Sequence, residues 1–210
     1  GRGWIALFAM ELVLYSVGTV FIILMLVSER TVAAHKNAAS VDPLTGLFNR
    51  RGFSELTERM IRREATAGRG VSVMIFDIDH FKSINDRFGH DVGDQALRHI
   101  GHTLAAACRD GEMVARQGGE EFVVLLDGAD AEMALIAGER LRRVVEASPY
   151  DHEARPLGLT VSIGVAAISA ADSGFDHLLS RADQALYRAK AEGRNRVVLD
   201  ATPMPSTQQA

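Results

Sequence analysis

The apolar positions divide the chain into two regions of different character. Residues 4–27, WIALFAMELVLYSVGTVFIILMLV, are apolar on every face of a helix, with Glu11 as the only charge. At ~1.5 Å rise per residue a helix of that length matches a ~30 Å hydrocarbon layer, so the pattern predicts one transmembrane helix. A core helix seldom stays apolar all round for so long. A signal peptide would have a shorter apolar stretch and a small-residue cleavage site. Residues 28–41 read as an alanine-rich, mildly charged stalk with no sustained heptad, which Asp42-Pro43 ends.

From 42 to 200 short apolar runs alternate with amphipathic segments. Phe53, Leu56, Met60 and Ile61 have helical spacing and predict a helix over 50–67. Gly68-Arg69-Gly70 reads as a turn, and VSVMIF (71–76) as a short buried strand. A short helix over 81–88 follows, then a break between Gly89 and Gly93. Ala96, Leu97, Ile100, Leu104 and Ala107 mark the apolar face of a longer helix. Residues 112–117 and 121–126 read as a hairpin around Gly118-Gly119. A helix over 132–147, a buried strand over 159–168, a helix over 175–191 and an edge strand over 196–199 complete the pattern. The tail 201–210 is polar, holds two prolines and reads as disordered. The sum is an α/β fold with a mixed central sheet flanked by helices.

Composition narrows the function. The chain has 210 residues, a net charge of −4 and 24% charged residues, so no basic surplus argues for a nucleic-acid partner. One cysteine, Cys108, excludes a disulfide framework. The first residue is Gly1, which reads as a piece of a longer protein with a sensor region upstream. Arg30, Lys36, Arg50 and Arg51 outnumber Glu29 and Asp42 after the apolar stretch. By the positive-inside tendency this places the rest in the cytoplasm, at the inner membrane.

The chemistry gathers at two places. The strand 71–76 runs into Asp77-Ile78-Asp79, and the turn at 118–121 reads Gly-Gly-Glu-Glu. If that strand pairs with the hairpin, Asp77 and Glu120 converge, and two nearby carboxylates repel unless a cation lies between them. Hard oxygen donors select Mg²⁺, with Mn²⁺ as the alternative, and the glycines would let backbone approach a nucleotide closely. A solvated turn explains the same residues, and spacing alone leaves both readings open.

Five segments shift that balance: DPLTGLFNRRGF (42–53), FDIDHFKSINDRFGHDVGDQAL (76–97), ARQGGEEF (115–122), TVSIGVA (160–166) and RADQALYRAKAEGRNRV (181–197). In this order they resemble the GGDEF family of diguanylate cyclases, over roughly residues 40–200. The resemblance implies a fold like the palm of polymerases and nucleotidyl cyclases, preceded here by the transmembrane helix. It also implies condensation of two GTP into cyclic di-GMP and two pyrophosphates. The metal would be held by Asp77, Glu120 and the carbonyl of Ile78. Glu120 and Glu121 would be the catalytic acids of the turn. Asn85 and Asp94 would read guanine, and His90 would contact substrate. Lys82, Lys190 and Arg194, with backbone near Phe81, would hold the outer phosphates. Two domains would face each other as a homodimer, each supplying half a site.

The chain departs from the family at the inhibitory product site R-x-x-D. It reads RDGE, with Arg109 kept and Glu112 in place of the aspartate. The longer side chain implies weakened product feedback. Three alternatives compete with a cyclase: a catalytically silent GTP- or cyclic di-GMP-binding module, an enzyme of changed base choice, and a membrane scaffold that only dimerises.

Overall fold

The computed structural model describes residues 2–38, 40–67, 70–153, 155–169 and 172–200. The chain forms two units, Gly1–Ala39 and Ser40–Ala210. The first is a single helix, α1 (Arg2–Ala38), which also takes in the expected stalk up to Ala38. The sequence predicts a membrane span over 4–27, and the structure corrects this. Among the described residues no helix is long and apolar enough to cross a membrane. The inner-membrane location rested on the same span and is withdrawn with it. The expected turn at 68–69 and the tail at 201–210 lie outside the described residues.

The second unit is a six-stranded mixed sheet with helices packed on it. Its strands are β1 (Phe48–Asn49), β2 (Val71–Ile78), β3 (Glu112–Gly118), β4 (Glu121–Asp127), β7 (Val161–Ala167) and β8 (Val197–Leu199), in the order β1-β3-β4-β2-β7-β8. A separate hairpin, β5 (Tyr150–His152) with β6 (Arg155–Leu157), forms a second small sheet. The helices are α2 (Arg50–Ala67), α3 (Phe81–Phe88), α4 (His90–Ala107), α5 (Ala131–Glu146) and α6 (Phe175–Ala191).

β2 is buried along its whole length because it lies between β4 and β7 and is covered on both faces. Its side chains alternate between two cores. Met74, Phe76 and Ile78 join α3, α4 and α5, while Val73 and Ile75 join Phe53, Leu178, Ala182 and Leu186. Gly164 of β7 permits the close approach of α6. A Cβ there would collide with the Ala182 carbonyl and the Leu186 amide, both backbone atoms that cannot swing aside.

Three expectations needed adjustment. β2 runs two residues past Phe76, so Asp77 lies inside the ladder, opposite Glu121 and Ser162, rather than at a solvated strand end. α3 and α4 are separated by Gly89 alone, whose φ of 86° only glycine adopts readily, and Gly93 lies within α4. The pairs β1 and β5–β6 were not foreseen. Two residues carry no period, and β5–β6 is short, polar and holds Pro156, against strand propensity.

Candidate active site

Antiparallel pairing of β2 with β4 sets Asp77 opposite Glu121 and lets the Ile78 amide donate to the Glu120 carbonyl at 3.4 Å. The Gly-Gly-Glu-Glu turn therefore closes over the end of β2, as the paired-carboxylate reading requires. Gly118 and Gly119 have φ of 142° and 54°, and a Cβ on either would meet no atom within 4 Å. Their role within the chain is thus conformational, and the space before them stays open to a ligand. Arg116 locks the turn: its Nη2 and Nε donate to the Gly119 carbonyl at 2.7 and 3.1 Å. The same guanidinium pairs with Asp42 at 3.1 Å, tying the turn to the DPLTG segment. Burial works against ionised Asp42, but donors from Thr45 and Arg116 outweigh it and hold the carboxyl below its ordinary value.

Lys190 reaches from the last turn of α6 and places Nζ 2.8 Å from Asp77 Oδ2. The sequence assigned these two residues to different ligands, and the structure joins them as one ion pair. Burial raises the Asp77 pKa, and the charge of Asp79 adds to it, against the pull of Lys190 and Arg194. Burial followed by the Asp77 charge raises Glu120. Glu121 is raised by burial and by the charges of Asp77, Asp183 and Glu120. The Asp77 charge raises both glutamates, while Lys190 pulls all three acids down, so the site crowds carboxylates around one paired lysine.

Among the described residues no group of three or more His, Cys, Asp or Glu side chains is arranged to hold a metal ion. The expected donor set is smaller: two carboxylates and a carbonyl. Its chemistry still fits a hard divalent cation, because these are oxygen donors, part-buried and under-neutralised.

The other expected residues lie around this centre on known elements. Phe81, 7% exposed, anchors α3 in the core. Lys82 is exposed on α3, and Asn85 is half-buried there. His90 and Asp94 are exposed in the first turns of α4. Asn85 packs where the missing Gly93 side chain would be: a Cβ at Gly93 would overlap Asn85 Oδ1 and lie 3.3 Å from Phe81 Cζ. Arg194 is exposed in the turn after α6.

The expected product-site residues lie at the far end of β3. Glu112 accepts Arg140 Nη2 at 2.6 and 2.7 Å and the Arg109 amide at 2.8 Å. Both residues line a cavity of about 300 Å³ with Leu126, Met133 and Ile136.

Sequence reasoning gave no role to two residues here: Asp79, whose charge acts on Asp77, and Arg116, which locks the turn. Asp79 had a signal, since it repeats Asp77 at the two-residue spacing that shares a strand face. Arg116 had none, because the Asp42 carboxylate it pairs with lies 74 positions away.

The family model described as diguanylate cyclase, GGDEF domain, matches residues 39–196. The chain belongs to the GGDEF family. It is 43% identical over 162 residues to diguanylate cyclase DgcP of Pseudomonas aeruginosa, covering 77% of this chain and 24% of DgcP. The chain thus spans about a quarter of that relative's length. The GGDEF domain of DgcB from Caulobacter crescentus, solved in complex with c-di-GMP, superposes with a TM-score of 0.73 at 32% identity, covering 78% of this chain and 97% of that one. The active GGEEF domain of a Vibrio cholerae diguanylate cyclase superposes with a TM-score of 0.69 at 31% identity, covering 74% and 98%. This GGDEF domain carries the same Gly-Gly-Glu-Glu-Phe variant, at 118–122.

Proposed function

We propose that this GGDEF domain is a diguanylate cyclase, making cyclic di-GMP and two pyrophosphates from two GTP. The observation that carries this reading is the convergence of Asp77, Glu120 and Glu121 with Lys190 at the mouth of the Gly-Gly turn. Asp77, Glu120 and the Ile78 carbonyl would hold a divalent cation, Mg²⁺ or Mn²⁺. When bound it supplies Lewis-acid polarisation of the α-phosphate.

The protein residues supply the rest. Lys190 exchanges its pairing with Asp77 for the outer phosphates once the carboxylates have another counter-charge. Arg194 and Lys82 share that load. Asp94 accepts from guanine N1–H and N2–H₂, which adenine lacks as a pair, and Asn85 complements the same edge. The 3′-oxygen of one GTP attacks the α-phosphorus of the other. The bond to the β-phosphate bridging oxygen breaks, and pyrophosphate leaves. Glu121, next to Glu120 in the turn, accepts the hydroxyl proton and passes it to solvent. Each 3′-oxygen must reach the other nucleotide, so two copies of the domain face each other, and their alignment limits the rate.

At the product site, Glu112 is held by Arg140 and the Arg109 amide. We infer that it offers guanine little free hydrogen-bonding capacity, so product feedback is weak. Inhibition by micromolar cyclic di-GMP that disappears in Arg109→Ala would contradict this.

The test of the cyclase reading is turnover of GTP with MgCl₂ by the 210-residue chain, followed by chromatography. Cyclic di-GMP should form, and Glu120→Ala should abolish it. GTP binding without product by a verified dimer would favour the silent binding module instead.

A further inference from the structure

We propose that Asp79 is a positioning residue for the triphosphate end of the site, acting through the backbone of Asn195 on Arg194. This rests on the cyclase reading above, which gives Arg194 its phosphate. Asp79 is 6% exposed. Its Oδ1 accepts Ser162 Oγ at 2.7 Å, and its Oδ2 accepts Thr160 Oγ1 at 2.8 Å and the Asn195 amide at 3.0 Å. Its own amide donates to the Thr160 carbonyl at 2.9 Å. One carboxylate therefore joins three segments: the end of β2 that carries Asp77 and Ile78, the start of β7, and the turn after α6.

That turn is the reason for assigning Asp79 more than a packing role. Arg194 and Asn195 are consecutive non-glycine residues with φ of 60° and 45°. Left-handed conformations of this kind persist only where the surroundings over-determine them. Here every handle is taken. The Arg194 amide donates to the Ala189 carbonyl at 3.0 Å. The Asn195 side chain accepts Arg142 Nη1 at 2.7 Å and donates to Glu146 Oε1 at 2.8 Å. The Asn195 amide is held by Asp79. Arg194 thus leaves the backbone from a fixed point, with its guanidinium exposed and its charge felt at Asp77. Releasing the Asn195 amide frees that point and adds an entropy cost to phosphate binding, while α3 and α4, which carry Asn85 and Asp94, stay untouched.

The test compares two ligands on the whole chain by calorimetry: a GTP analogue with a methylene between the α- and β-phosphates, and GMP, which lacks the outer phosphates. Asp79→Asn should weaken the analogue about tenfold and leave GMP within about twofold, the loss of one charge-assisted hydrogen bond. Arg194→Ala should do the same, and the double variant should be no weaker than Arg194→Ala alone. Equal weakening of both ligands, or additive losses, would overturn the proposal, since a packing role predicts just that. If Asp79→Asn does not fold, Thr160→Val, which removes one donor from Asp79, should show a smaller loss with the same selectivity for the analogue. Equal loss for both ligands there also overturns the proposal. If the unmodified protein binds neither nucleotide, the cyclase reading fails. Hydrogen exchange then decides on Asp79: the Asn195 amide should exchange at least about tenfold faster in Asp79→Asn, and an unchanged rate refutes the coupling.

Discussion

At the scale of single residues, the site trades stability for charge. Asp77, Glu120 and Glu121 all have raised pKa values in the folded chain, from burial first and then from neighbouring carboxylates. A raised carboxylate pKa means that the folded state binds more protons than the unfolded one. Stability contributed here is therefore present at low pH and falls as pH rises through the raised values. Glu120→Gln should raise the melting temperature of the metal-free protein at pH 7 by roughly 1–3 °C, a modest gain because the group is part-exposed and screened. The gain should vanish below about pH 4, where the ordinary carboxylate is itself protonated. MgCl₂ should raise the melting temperature of the unmodified protein more than that of the variant. Thermal melts across pH, with and without the metal, check the sign. Gly93 gives a second residue-scale prediction. Alanine improves helix propensity by about 1 kcal/mol, and its hardest clash is with the movable end of Asn85, Phe81 Cζ lying 3.3 Å away, so Gly93→Ala should still fold. It should nonetheless displace Asn85 and weaken GTP binding about tenfold, with relaxed preference over ATP. Unchanged affinity would remove Asn85 from guanine reading.

At the scale of elements, the placement of α6 against β7 decides whether the phosphate side and the metal side meet. α6 starts on a buried network in which Arg181 pairs with Asp172 at 2.7 Å and with Asp200 at 3.0 Å. It ends with Lys190 on Asp77. Between them Gly164 sets the distance from helix to strand. Gly164→Ala places a methyl against three backbone atoms of Ala182 and Leu186 and should cost roughly 3 kcal/mol or more, because the helix must move as a body. Urea unfolding should show the loss, and crystallography of any folded remnant should show Lys190 withdrawn from Asp77. An unchanged midpoint would mean that α6 is free to ride outward.

For the whole molecule, the carboxylates and the phosphate-side residues lie on one domain, whereas the proposed reaction joins two nucleotides, each attacking the other. Specific activity should therefore rise with protein concentration until dimers saturate. A rate per domain that stays constant down to nanomolar protein would require a dimer that never dissociates, and sedimentation at the same concentrations tests for one.

Much of this was legible in the sequence because local patterns carry it. The helices at 81–88 and 175–191 match their predicted bounds, since amphipathic spacing and flanking glycines or turn residues mark both ends. The buried strand at 71 and the hairpin at 112–127 were legible for the same reason. So was the gathering of Asp77 with the Gly-Gly-Glu-Glu turn, once the strand was paired with the hairpin. The apolar run at 4–27 shows the limit of such reading: hydropathy alone predicted a span, and among the described residues no helix is long and apolar enough to make one. Tertiary structure alone decided the rest. It placed Asp77 inside the sheet, set Lys190 on it, locked the turn through Arg116, and bound Asp79 to an amide 116 positions away. A period in sequence records which face of an element is buried, but not which distant residue that face will meet.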